Sequence, residues 1–158
     1  DYPVDPADDD DDTAILRHKD ADVGVAVALD FGLITPIIFK AQTKGLVEIS
    51  NEVKTLAGLA KEKKLKPNQY EGGGFSVSNL GMYGVTGFFG IINVPNAAIL
   101  SVGATIKKPV IDANDRIVMG HRMVIGLSGD HRVVDGANGA QFLQALKQIL
   151  EEPTLILI

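Results

Sequence analysis

Apolar residues in the chain fall into short blocks with different spacings. In "ADVGVAVALD", Val23, Val25, Val27 and Leu29 occupy alternate positions with Gly24, Ala26 and Ala28 between them. That alternation predicts a strand, and the small residues on its second face predict burial on both sides. "LITPIIF" predicts a second strand, kinked or ended by Pro36. From Gly45 to Lys64 the pattern lengthens: Leu46, Ile49, Val53, Leu56, Leu59 and Ala60 share one helical face, with Glu and Lys between them. Pro67 and Gly72, Gly73 and Gly74 close that unit. "FSVSN" predicts a strand running into a loop dotted with Gly81, Gly84, Gly87 and Gly90, and "AAILSVGA" predicts another strand. "DAND", Asp112 to Asp115, predicts a hairpin turn. Arg116 to Leu127 predicts one long strand. Ala140, Leu143, Leu146, Ile149 and Leu150 then mark a helix that ends before Pro153. Strand, strand, helix, three strands, helix is the order of an α/β or α+β domain built on a mixed sheet.

Composition narrows the chemistry. The 158 residues suit one domain with a single core. Net charge is -5, much of it in the run Asp8 to Asp12, so residues 1–13 are expected to be an acidic, disordered lead-in. There is no basic stripe to attract nucleic acid and no apolar run of membrane-spanning length. The opening residues lack the apolar core of a signal peptide, which points to an intracellular protein. With no cysteine in the sequence, disulfides, cysteine-ligated metals and a cysteine nucleophile are excluded. His18, His121 and His131 do not form a metal motif, so no metal is expected.

The stretch with most chemical content is "SGDHRVVDG", Ser128 to Gly136. His131 follows a predicted strand and Asp135 precedes a predicted helix. One reading is structural: Asp135 is a good helix N-cap, Gly136 eases the turn, and His131 is a polar strand-end residue. The other is catalytic. Histidine is the side chain best suited to take and return a proton near neutral pH, and a positioned base contributes about 10²–10⁴ in rate. Ser78 in "FSVSNLG" ends a strand before glycines that allow close approach. Its hydroxyl is either a turn-satisfying group or a donor to an oxyanion, the latter worth about 10²–10³. His121 also precedes an arginine but lacks a following Asp-Gly, so it is read as a strand residue with a solvent or interface role.

"DHRVVDGANGAQFLQALKQILEEP" resembles the C-terminal signature of the 2-oxoacid dehydrogenase acyltransferases. "GLITPIIFKAQTKGL", "YEGGGFSVSNLGMYGV" and "IINVPNAAILSVGA" resemble further segments of that family, in the family's order. The resemblance covers residues 14–158 and is nearest to the acetyl-transferring branch that serves pyruvate dehydrogenase. It implies a chloramphenicol-acetyltransferase-like fold, a mixed β-sheet with flanking helices, present here as the C-terminal part of the catalytic domain. The family's arginine-rich N-terminal helix, lipoyl domain and subunit-binding domain are not matched.

The resemblance also implies roles. His131 matches the general base that takes the proton from coenzyme A or dihydrolipoamide. Ser78 matches the oxyanion-stabilising serine, and Asp135 the aspartate that holds the site's geometry. Arg132 and Gly136 match positions read as structural. In the family, histidine and serine meet between subunits of a trimer, and trimers join into octahedral or icosahedral shells through an apolar C-terminal end, here "LILI". The implied partners are further copies of the chain, a lipoyl domain and the other pyruvate dehydrogenase subunits. Bacterial cytoplasm is the expected compartment, with the mitochondrial matrix second. Two other readings stand beside this one: a self-assembling scaffold without chemistry, or an inactive fragment of the core; and a free-standing acetyltransferase of the chloramphenicol type.

Overall fold

The computed structural model describes residues 15–30 and 32–157. The expected lead-in, 1–13, lies outside them. Strands β1 (Val23–Val25), β2 (Val27–Leu29), β3 (Gly32–Ile34) and β4 (Ile37–Ile38) precede helix α1 (Leu46–Lys61). Strands β5 (Phe75–Asn79), β6 (Ala98–Val102), β7 (Ile106–Ile111), β8 (Ile117–Arg122) and β9 (Ile125–Gly129) precede helix α2 (Gly136–Glu151). The central sheet has the order β4-β1-β5-β6-β9. Strands β1, β5 and β6 run parallel, while β4 and β9 run antiparallel at the edges. This is the mixed sheet with flanking helices that the pattern and the resemblance imply.

Three expectations are corrected in detail. The predicted strand over 21–30 is two strands: β1 joins the central sheet, whereas β2 pairs with β3 in a separate ribbon. The break falls at Ala26, whose N–H still reaches Val77 O at 2.9 Å. Only Gly24 of that stretch is fully buried and Ala28 is exposed, so burial on both faces holds for the β1 half alone. The long strand over 116–127 is also two strands. β8 belongs to a hairpin with β7, and β9 belongs to the central sheet, with Met123 and Val124 between them. β7 itself has no counterpart in the pattern reading, because its "IKKPVI" carries two lysines and a proline. Pro109 is tolerated there because a two-stranded ribbon has free edges on both sides.

The core is small and draws on β4, α1 and β6. Ile37, Ile38, Leu56, Ala60, Ala98, Ile99 and Leu100 are buried. The two faces of the sheet are covered differently. Phe75 meets Phe142 with ring centroids 5.6 Å apart, so α2 covers the face that carries Phe75, Val77 and Asn79. The opposite face carries Ser76 and Ser78, and the irregular segment 84–97 crosses it. Gly103 anchors that segment: a Cβ there would lie 2.2 Å from Thr86 O, and the neighbouring Ala104 N–H donates to Val85 O at 2.7 Å. Only glycine permits so close a backbone crossing.

Candidate active site

Asp135 is the N-cap of α2. It has extended backbone angles, and its Oδ1 accepts the Asn138 N–H at 2.7 Å. The expected capping role is therefore present. His131 lies in the turn between β9 and α2 and is exposed rather than packed at a strand end. Asp130 builds that turn. Its carbonyl accepts N–H groups from Val133 and Val134, both at 2.9 Å, and its carboxylate accepts the Arg132 N–H at 3.0 Å. The Arg132 guanidinium grips the same carboxylate, with Nη2 to Oδ2 at 2.8 Å and Nε to Oδ1 at 3.1 Å. Those bonds hold the Asp130 carboxyl down at about 2. Arg132 thus has the structural role read from the sequence. Asp130 was not singled out by sequence reasoning, although the "DHR" order places its carboxylate within reach of that guanidinium.

Ser78 is half-buried, one residue before the end of β5. It lines a chamber of about 290 Å³ together with Ala26, Thr35, Ser76, Phe88, Gly90 and Ile99, among others. The lining carries no charged side chain. Exposed apolar side chains stand on the loop beside it: Phe89 is 88 % exposed, Ile91 91 % and Val94 85 %. Asn79, given no role from sequence, accepts the Gly81 N–H at 2.9 Å and so shapes the turn after Ser78.

The structure does not bring Ser78 and His131 together within one chain. Strand register places Ser78 beside Ser101 and Gly126, and Phe75 beside Ala98 and Gly129. Three residues along the strands and two strands across separate Ser78 from Gly129 by about 14 Å. The Asp130 N–H still bonds Ala97 O at 2.8 Å, so the chain keeps moving away from Ser78 before it turns into α2. That helix lies on the opposite face of the sheet. Ser78 and His131 therefore lie toward opposite ends of the central sheet's strands.

A larger cavity, of about 450 Å³, lies elsewhere, between α2 and the β8–β9 link. Leu143, Leu146 and Leu150 face Met123 and Ile125 there, with His121, Lys147 and Glu151 also in its lining. His121 is thus an exposed strand residue on a groove that includes neither Ser78 nor His131. Among the described residues no group of three or more His, Asp or Glu could hold a metal ion, and no helix is long and apolar enough to cross a membrane.

Residues 4–158 match the family model of the 2-oxoacid dehydrogenases acyltransferase catalytic domain. The dihydrolipoyllysine-residue acetyltransferase component of the Rickettsia felis pyruvate dehydrogenase complex is 48 % identical over 145 residues, 92 % of this chain and 35 % of that protein. The corresponding Rhizobium meliloti component is 49 % identical over 147 residues, 93 % of this chain and 33 % of that protein. The chain thus spans about a third of the length of these curated relatives. Among solved structures, Azotobacter vinelandii dihydrolipoamide acetyltransferase superposes with a TM-score of 0.87 at 35 % identity, covering 92 % of this chain and 60 % of that one. Its serine, histidine and asparagine were investigated for their role in catalysis. The cubic core of a pyruvate dehydrogenase multienzyme complex superposes equally well, with a TM-score of 0.87 at 34 % identity and the same coverage.

Proposed function

This chain belongs to the 2-oxoacid dehydrogenase acyltransferase family, and on that premise we propose that it moves an acetyl group between dihydrolipoamide, carried on a lipoyl domain, and coenzyme A. His131 of one copy takes the proton from the attacking thiol. The sulfur then bonds to the thioester carbonyl carbon of the other partner. Ser78 of a neighbouring copy donates a hydrogen bond to the oxyanion of the tetrahedral intermediate. The carbon–sulfur bond to the first carrier breaks, and the departing thiolate recovers the proton from His131. One thioester is made as another is broken, so neither an oxidant nor a metal is required. Asp135 caps α2 and thereby fixes the end of the turn that presents His131.

The observation that carries this reading is the pair of half-sites. Ser78 sits in an uncharged chamber suited to a small acyl group, rimmed by exposed apolar side chains that a second copy would cover. His131 stands exposed where it could reach such a chamber in a neighbour. Spacing adds support. In the Azotobacter enzyme the serine, histidine and asparagine fall 52 and four residues apart. Here Ser78, His131 and Asp135 fall 53 and four apart. Trimers of the chain would build the catalytic units of a larger symmetric core that binds lipoyl domains and the other pyruvate dehydrogenase components. The proposed compartment is the bacterial cytoplasm, then the mitochondrial matrix.

Acetyl transfer from acetyl-coenzyme A to dihydrolipoamide tests the proposal, with light scattering to measure particle size. Activity from a trimer or larger particle is expected, with His131→Ala lowering kcat by about 10²–10⁴ and Ser78→Ala by about 10²–10³. A well-formed particle without activity would favour the scaffold reading. Acetylation of chloramphenicol in preference to dihydrolipoamide would favour the free-standing acetyltransferase.

A further inference from the structure

Two buried serines flank Ser78, and each binds one end of the loop over it. Ser101 of β6 is 2 % exposed and is the register neighbour of Ser78. Its Oγ accepts the Gly90 N–H at 2.9 Å. Ser76 is 1 % exposed, two residues before Ser78 on the same face of β5. Its Oγ accepts a hydrogen bond from Asn96 Nδ2 at 2.5 Å. Asn96 is buried, and its Oδ1 has no partner among the described residues. An amide left half-satisfied in the interior calls for an explanation. Between these two anchors runs 90–96, the segment that carries Ile91 and Asn93 into the chamber wall. The roof also lies close. A Cβ on Gly90 would stand 3.0 Å from both Ser101 Oγ and Ile99 Cγ2.

We propose that Ser101 and the Ser76–Asn96 pair are positioning residues for the Ser78 site: they staple both ends of 90–96 to the strand face bearing Ser78, and so set the depth of the chamber and the length of acyl group it accepts. This rests on the reading of Ser78 as the oxyanion residue. Ser101 and Asn96 stand outside the chamber lining, and Ser76 enters it only as wall. Their loss leaves the chemical step intact and loosens the wall against which the acyl group packs.

The test uses the full assembled chain with acetyl-, propionyl- and butyryl-coenzyme A as donors. It compares Ser101→Ala, Ser76→Ala, Gly90→Ala and Ser78→Ala, with light scattering on each. Ser101→Ala and Ser76→Ala are expected to raise KM for acetyl-coenzyme A about 3- to 10-fold, the worth of one hydrogen bond, with kcat within about threefold of the parent. Both should raise the butyryl-to-acetyl ratio of kcat/KM by a similar factor. Gly90→Ala keeps both hydroxyls but forces the roof outward, and it should shift the same ratio in the same direction. Faster hydrogen exchange at the Gly90 amide in Ser101→Ala would report the lost staple independently of turnover. Unchanged KM and acyl ratio in all three variants would overturn the inference, whatever happens to thermal stability. If Ser78→Ala loses kcat while the staple variants match the parent, the inference alone fails. If Ser78→Ala keeps its kcat, or the parent is inactive, the oxyanion reading fails and takes this inference with it.

Discussion

Mixing two inactive variants should restore activity. Within one chain, Ser78 lies about 14 Å from the strand end that leads to His131, far beyond the reach of one thioester carbonyl held between them. If each site draws its histidine from one copy and its serine from the next, Ser78→Ala chains still offer a histidine and His131→Ala chains still offer a serine. In randomly assembled equimolar trimers, half of the histidine positions and half of the serine positions are intact. About one quarter of the interfaces then carry both, so about a quarter of parental activity should return, on a background of about 1 % or less. The two variants are unfolded together, refolded, and assayed for acetyl transfer. The same variants refolded separately and then mixed serve as the control, because preformed trimers cannot exchange half-sites. Varying the ratio gives a second check: activity should follow the product of the two fractions and peak at equal amounts. Co-assembled particles with no more activity than the single variants would refute the shared site, since a site contained in one chain is broken in every copy.

Further outcomes follow from the turn and the core. Asp135→Ala removes the acceptor for Asn138 N–H and should cost about 1 kcal/mol, read by denaturant unfolding, whereas Asp135→Asn keeps a good cap and should stay within a few tenths. The Asp130 carboxyl, held down chiefly by its side-chain bond to Arg132, should titrate by NMR with a midpoint of about 2. A depressed carboxylate pKa stabilises the fold above its unfolded value of about 3.9, so the turn's grip is intact at neutral pH and is lost as the pH falls through about 2. A midpoint in the ordinary carboxylate range would contradict the Asp130–Arg132 geometry. Leu56→Ala, at a buried position of α1, should cost about 2–5 kcal/mol in the same unfolding assay; a smaller loss would place α1 outside the cooperative core.

Local order was legible where one physical requirement acted alone. The period of Leu46 to Ala60 gives α1 because that helix needs only one apolar stripe, and Asp135 reads as a cap because a helix start needs an acceptor there. Reading failed where two requirements shared one pattern. The alternation from Val23 to Leu29 is continuous, yet β1 and β2 hydrogen-bond to different partners, and nothing in a period of two marks the change at Ala26. Met123 and Val124 are as apolar as the strands they divide, so the switch from hairpin to central sheet is silent. β7 escaped because a largely exposed ribbon, with only Ile106 and Val110 half-buried, needs no continuous apolar face. For the candidate site, the sequence offered residue types and neighbouring segments. Its geometry was not legible, because the distance between Ser78 and His131 is fixed by strand order, which brings β6 between β5 and β9.

Under the proposed function, the structural and catalytic readings of the opening of α2 describe one arrangement. A base must be held still to act, and an exposed histidine has little packing to hold it. What steadies the segment is the hydrogen bonding on either side: Asp130 closes the turn through its carbonyl and carboxylate, and Asp135 ties the helix start through Oδ1. His131 lies between these two fixed points. A cap without a base would need only Asp135, and the Asp130–Arg132 clamp would then be surplus at so exposed a turn. A base without a cap would swing with the first turn of α2. The same reasoning applies across the sheet, where Ser78 lies between the buried anchors Ser76 and Ser101. Under the proposed function each half-site is an accessible group braced by its neighbours, the arrangement expected if the reacting groups meet across an interface between copies.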